Sequence, residues 1–177
     1  LGSLYSSMGS EKRMKNSEEP HPGEGGGLVH PAGGLYGGRL FEFLRLESTN
    51  TWAMARKRDL RHGDVVWAWE QMEGKGRSGR RWTASHGKSL TFSAVLTEIR
   101  PADFPYAGLC AAMAVRSFLA KSHVEAALKW PNDVLVSNRK IAGILSEADA
   151  GLPFLVVGVG VNLNHDAAAL EALGAGA

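Results

Sequence analysis

A single cysteine, Cys110, stands among the 177 residues. No internal disulfide can form, which fits a reducing compartment. No Cys/His cluster has zinc spacing, so no protein-held metal is expected, and Cys110 reads as a buried helix thiol rather than half of a catalytic dyad. Charge of one sign is nearly absent: the formal balance is +2, too small by itself to argue for nucleic acid. Long apolar runs are missing as well. The longest weakly charged stretch, Phe104 to Ala120, contains Arg116 and is too short to span a bilayer comfortably. The N-terminus lacks the apolar core of a signal peptide and carries glutamates that a transit peptide avoids. Residues 1–38 show no helix-turn-helix pattern. The expectation is a cytoplasmic protein with neither a membrane nor a DNA partner.

What is present suffices for one domain. Hydrophobic residues make up 44% and charged residues 21%, close to a typical soluble chain. Residues 1–38 hold ten of the 22 glycines, three prolines and five serines, so they are expected to be disordered or a linker. From Arg39 the pattern changes. Leu40–Leu46 reads as a buried strand, and Ser48, Thr49 and Asn50 are each suited to cap a helix running to about Arg61, ended by Gly63. Strands are expected at Asp64–Glu70, which carries Trp67 and Trp69, and at Leu90–Glu98, with a Gly/basic loop, Gly74–Arg81, between them. Asp103 would cap a helix to Lys121. Extended segments follow at Ala127–Trp130, Asp133–Val136, Lys140–Leu145 and Phe154–Leu163, the second and third joined by a hairpin turn around Asn138. A last helix would begin at Asp166. Strands dominate and several are hairpin-linked, so the fold class is α+β: a mixed β-sheet with packed helices.

Four segments carry chemistry. Gly74-Lys75-Gly76-Arg77-Ser78-Gly79-Arg80-Arg81-Trp82 combines glycines that let a backbone approach a ligand with four cations, an arrangement suited to polyphosphate. A basic surface loop or a nucleic-acid contact fits the same residues. In Lys140-Ile141-Ala142-Gly143-Ile144, simple alternation puts Lys140 on one face with Ala142 and Ile144, which is costly unless an anion meets it; the residues alone favour a lysine that turns out to solvent. The alternating glycines of Val157-Gly158-Val159-Gly160-Val161-Asn162 leave room for a planar group, with Asn162 placed to read an adenine or ribose edge, although the residues alone favour simple tight packing. Ser48-Thr49-Asn50 is either an ordinary cap or a set of polar ligand contacts. Two nucleotide motifs fail: Gly87-Lys88-Ser89 has Trp82 where a Walker loop needs its first glycine, and Gly158-Val159-Gly160 has Leu163 where the third Rossmann glycine belongs.

The order of these segments is more specific than any one of them. Ser-Thr-Asn at 48–50, Gln71, the Gly/basic loop ending in Trp82, Lys-Trp-Pro-Asn-Asp at 129–133, Lys-Ile-Ala-Gly-Ile-Leu at 140–145 and Gly-Val-Gly-Val-Asn at 158–162 resemble the biotin protein ligase series over roughly residues 40–164. The resemblance implies a fold related to class II aminoacyl-tRNA synthetases. It also implies a reaction in which biotin and ATP give biotinyl-5'-AMP, whose acyl group passes to a lysine of a biotin carboxyl carrier protein, with Mg2+ accompanying ATP. By the same resemblance Ser48, Thr49, Asn50, Gln71, Lys75, Gly76, Arg77 and Lys140 would bind biotin. Arg77, Arg80, Trp82, Asn132, Lys140 and Asn162 would bind ATP or the adenylate, and Trp67 and Trp69 are candidate apolar walls. Lys140, Arg77 and Asp133 would carry catalysis, Asp133 by meeting the acceptor amine.

Three features depart from the family pattern. Lys75 replaces the usual arginine, turning a forked donor into a point charge. Glu73 adds negative charge beside the anion site. Such ligases continue with further helices and a small β-domain, so the chain reads as C-terminally truncated. A lipoate or octanoate ligase of the same fold, a nucleic-acid-binding module and an inactive binding domain are the competing readings. Sheet edges in such domains can pair, which keeps a homodimer open.

Overall fold

The computed structural model describes residues 27–164. The expected disorder of residues 1–26 and the helix expected from Asp166 lie outside the described residues. Among those described, nine strands form one mixed sheet. They are β1 (Leu28–His30), β2 (Leu40–Leu46), β3 (Val65–Lys75), β4 (Arg81–Ala84), β5 (Ser89–Leu96), β6 (Ala127–Lys129), β7 (Asp133–Val136), β8 (Arg139–Ala148) and β9 (Leu155–Asn162). The sheet order is β1-β2-β3-β5-β9-β8-β7-β6, with β4 paired to β3 off that path. Two helices, α1 (Thr49–Ala55) and α2 (Phe104–Lys121), pack on it. β2 and β3 run parallel, joined through α1; the other pairs are antiparallel. The expected mixed sheet with packed helices is thus the fold found.

Part of the segment expected to be disordered is a strand. Leu28–His30 pair with β2, Val29 opposite Phe41, and His30 Nε2 lies 2.9 Å from a Glu42 carboxylate oxygen. Three residues are too few for a period-2 pattern to show. α1 is shorter than expected. The Ser48 hydroxyl accepts from Thr51 N–H at its start, but the helix ends at Ala55. The cations that follow turn to other partners: Arg56 lies over the Trp52 ring, and Lys57 bonds the Asp149 carboxylate. That ammonium, aided by the Gly151 N–H, holds the Asp149 carboxyl below the usual carboxylate range. The turn between β7 and β8 is the two-residue pair Ser137–Asn138, both at positive φ as a type I′ turn requires.

Period-2 alternation gives the sheet two cores. On one face α1 brings Trp52 and Ala53 against Phe41, Phe43, Val66, Val95 and Val156. On the other, α2 lays Ala112, Val115 and Leu119 on Val134, Ala142, Ile144, Val157 and Val159. The stripe 112–115–119 leaves Cys110 on the outer side of α2, exposed rather than buried as expected. Among the described residues Asp64 is the most completely enclosed charge, at 0% exposure. It accepts from Arg39 N–H at 2.8 Å, the Arg39 guanidinium at 2.6 Å and Arg61 N–H at 3.0 Å, tying the start of β2 to the start of β3.

Candidate functional site

The site lies on the α1 face, where the apolar core gives way to polar residues. In β9, Val157, Val159 and Val161 point to α2, so Gly158, Gly160 and Asn162 lie on the opposite side. Gly143 of β8 stands opposite Gly160, and Thr91 and Ser93 of β5 stand opposite Gly160 and Gly158. The result is a lane across three strands with almost no side chains of its own. The room expected for a planar group is taken by the protein: a Cβ at Gly160 would fall 2.3 Å from the Trp82 indole, and one at Gly158 would fall 2.3 Å from Asn50 Oδ1.

Lys140 occupies the opposite face from the one that alternation assigns it. The β7–β8 ladder pairs Val134 with Ala142 but Leu135 with Lys140, leaving Ile141 as the extra residue of a bulge. One extra residue reverses every side chain beyond it. Ala142 and Ile144 stay in the α2 core, whereas Lys140 crosses to the glycine lane, its Nζ 3.1 Å from where a Gly143 Cβ would lie. There it meets Asp133, the cross-strand partner of Gly143, in an ion pair of 2.7 Å, and lies 5.7 Å from the Trp82 ring centroid. Both charged side chains are about one-fifth exposed, reachable by a ligand yet screened less than surface charges.

The Gly/basic segment is the tip of a hairpin. β3 extends to Lys75 and pairs with β4, Gly74 opposite Trp82 and Lys75 opposite Arg81. A Cβ at Gly74 would lie 2.3 Å from the Trp82 carbonyl oxygen, so the two strands can close only around glycine. The tip is a single turn, Arg77–Gly79, closed by Gly76 N–H to Arg80 O at 2.7 Å. An open cleft of about 750 Å³ is lined by Glu73 to Arg81 together with Leu145 and Glu147. Lys75, Gly76, Arg77 and Arg80 therefore share one wall. Arg77 reaches Asn132 Oδ1 at 3.4 Å. Asn132 is itself fixed to β8, its carbonyl accepting from Ile144 N–H and its amide donating to Ile144 O.

Behind the lane, the start of α1 is held by a buried polar network. Gln71 Oε1 accepts from both Thr49 N–H and Thr49 Oγ1. The Ser93 hydroxyl lies 2.7 Å from Thr49 Oγ1 and 2.6 Å from Asn50 Oδ1, and its one proton serves either. Asn50 Nδ2 donates to Glu147 at 2.7 Å and to Leu145 O at 3.2 Å. Ser93, Thr91 and Glu147 escaped the sequence reading. The alternation Ser89, Thr91, Ser93 between apolar neighbours was the available signal, because a polar row on a strand this apolar needs partners. Gly158→Ala should expel Asn50 from this network and lower stability by about 1–3 kcal/mol, the usual cost of overpacking. A urea titration measures it, and an unchanged midpoint would show that Asn50 has another seat.

Two expectations about aromatic residues separate. Trp82 stands in the site, but Trp67 and Trp69 are not its walls: Trp67 pairs with Phe92, on the α2 side of the sheet. The two indoles meet at a tilt, Trp69 stacks on His86, and Trp69 Nε1 donates to Glu42. Asn162 ends the glycine lane and is buried opposite Ser89. Arg80 is exposed on the hairpin. Among the described residues no three His, Cys, Asp or Glu side chains converge into a metal cage, and no helix is long and apolar enough to cross a membrane.

Comparison with known proteins follows the same residues. Residues 40–164 match the profile of the biotin/lipoate A/B protein ligase family. A biotin–[acetyl-CoA-carboxylase] ligase of Mycobacterium tuberculosis is 38% identical over 112 residues, covering 58% of this chain and 40% of that protein. A protein of the same name from Paracoccus denitrificans is 37% identical over 139 residues, covering 72% and 56%. The chain thus spans roughly half the length of these curated relatives. The biotin protein ligase of Aquifex aeolicus, solved in complex with biotin and ATP, superposes with a TM-score of 0.62 at 27% identity, covering 76% of this chain and 61% of that one.

Proposed function

On the premise that the chain belongs to the biotin/lipoate A/B protein ligase family, we propose that it is the catalytic part of an ATP-dependent biotin protein ligase. A biotin carboxylate oxygen attacks the α-phosphorus of ATP, the bond to the bridging oxygen breaks, and pyrophosphate leaves. The ε-amine of a lysine on a biotin carboxyl carrier domain then attacks the acyl carbon of biotinyl-5'-AMP, loses a proton and displaces AMP. The observation that carries this reading is the Lys140 ammonium, turned by the bulge onto a glycine-floored lane beside Asp133 and Trp82.

Lys140 holds the biotin carboxylate and then the charge that builds on the adenylate. Arg77, Lys75 and Arg80, on the hairpin that walls the cleft, neutralise phosphate, while Asn132 sets Arg77 in place. Ser48, Thr49, Asn50 and Gln71 shape the biotin end, and Asn162 lies toward the nucleotide. Asp133 attracts and orients the acceptor amine, which is protonated at neutral pH with a reference pKa of about 10.4. Mg2+ accompanying ATP would add positive charge to the phosphates that Lys75, Arg77 and Arg80 face. No protein nucleophile is required; positioning and charge stabilisation suffice.

Biotin-dependent exchange of pyrophosphate into ATP tests the reading. Exchange is expected with biotin and not with lipoate. Exchange with lipoate alone would move the chain to the other branch of its family, and none with either acid, from this chain or a longer one, would overturn the reading.

A further inference from the structure

The Lys140–Asp133 pair raises a question that the residue roles above leave open. Each side chain is assigned a partner from a different reactant, yet here each is the other's partner at 2.7 Å. The two stand side by side on the same face: Asp133 opposite Gly143, and Lys140 curled over Gly143 after the bulge. Trp82 lies beside the ammonium, and the Gly143 and Gly160 backbones floor the lane. A compact ammonium in such a confined place cannot give short, well-aligned bonds to two carboxylates without crowding two like charges together.

Building on the ligase reading, we propose that Asp133 is an internal counter-anion that the ligand's carboxylate, and later the adenylate phosphate, displaces from Lys140, so that Asp133 is free for the acceptor amine only when the site is loaded. Before loading, the pair keeps Lys140 in position over Gly143 and keeps Asp133 from attracting stray cations. On loading, Lys140 exchanges one anion for another, and the carboxylate left behind becomes the negative charge that draws the acceptor ammonium in. The exchange orders the two half-reactions without any movement of the backbone. It also makes biotin's own affinity lower than the site could give, because the incoming acid competes with a carboxylate built into the protein.

Calorimetric titration with biotin and with its neutral methyl ester, on the unmodified chain and on Asp133→Asn, gives the first test. Asparagine keeps the shape and removes the competing charge. Biotin should bind about three- to tenfold more tightly to Asp133→Asn, in the range of a partly exposed ion pair, and the ester should bind both proteins alike. Transfer from preformed adenylate separates the second role: aminolysis by carrier lysine should fall in Asp133→Asn, whereas aminolysis by hydroxylamine, already neutral at pH 7, should persist. A crystal structure with a non-hydrolysable biotinyl-adenylate analogue should show Lys140 Nζ on the ligand and Asp133 released. Unchanged or weaker biotin binding in Asp133→Asn overturns the proposal, as does an analogue complex that retains the ion pair. If the unmodified chain binds neither biotin nor its ester, the ligase reading itself fails and the proposal goes with it.

Discussion

Lys140→Ala should slow biotinyl-adenylate formation by about 10²–10³-fold, the usual effect of deleting one preorganised donor to a developing anion. The fold should survive. Lys140 lies at the edge of the lane, about one-fifth exposed, and Asp133 retains comparable access to water when its partner is gone. The expected loss of stability is therefore modest, about 1 kcal/mol. Lys140→Arg should fall between the two proteins. It keeps the charge, but a planar fork does not fit where Nζ and Cε already lie 3.1 and 3.0 Å from the position of a Gly143 Cβ. Pyrophosphate exchange and a thermal melt on the same samples read both quantities. Full exchange in Lys140→Ala would remove the residue from the mechanism.

Asp64→Ala should have the largest effect on stability, about 3–5 kcal/mol, because it breaks a buried pair and leaves its cation uncompensated. The Arg39 side chain is only 17% exposed, and three Arg39 donors as well as the Arg61 N–H end on this one carboxylate. Alanine abandons all of them at the entry to two parallel strands. Asp64→Asn should cost less, since one acceptor oxygen remains while the amide hydrogens face the guanidinium. Urea unfolding followed by tryptophan fluorescence measures the difference. A loss below about 1 kcal/mol would mean that water replaces the carboxylate at little cost.

Much of this architecture was written locally. β2 and β7 fall at the expected residues, and α2 runs to Lys121 as its pattern requires, because period-2 and period-3.6 burial is a property of neighbouring residues. The candidate site was legible as a set of segments, and the sheet with the start of α1 does bring Gln71, Thr49, Trp82, Asp133 and Lys140 to one side. What alternation misassigned was orientation. The bulge at Ile141 depends on β7 pairing, which the β8 sequence does not contain. Trp67 and Trp69 went to the opposite side because the face of β3 is fixed by β5 and β9 rather than by β3 itself. Tight packing was the reading the glycines favoured, but nothing local announces that Trp82, 78 residues before Gly160, is what folds back to fill the lane. Asp64 looked like the first residue of a strand; only the return of Arg39 makes it a buried anchor.

The extra residue in β8 implies that the hairpin is protected by its count more than by its letters. Between Asn138 and Gly143 the spacing decides which side of the sheet the ammonium reaches, so a conservative replacement of Ile141 leaves the parity intact. Deleting that same residue sets Lys140 directly before Ala142 in regular pairing and leaves its ammonium on the lane, whereas straightening the bulge with the count unchanged turns it into the oily layer beneath α2. Descendants of this sequence should therefore tolerate varied side chains at position 141 and keep either the bulge or an odd spacing from Lys140 to Ala142.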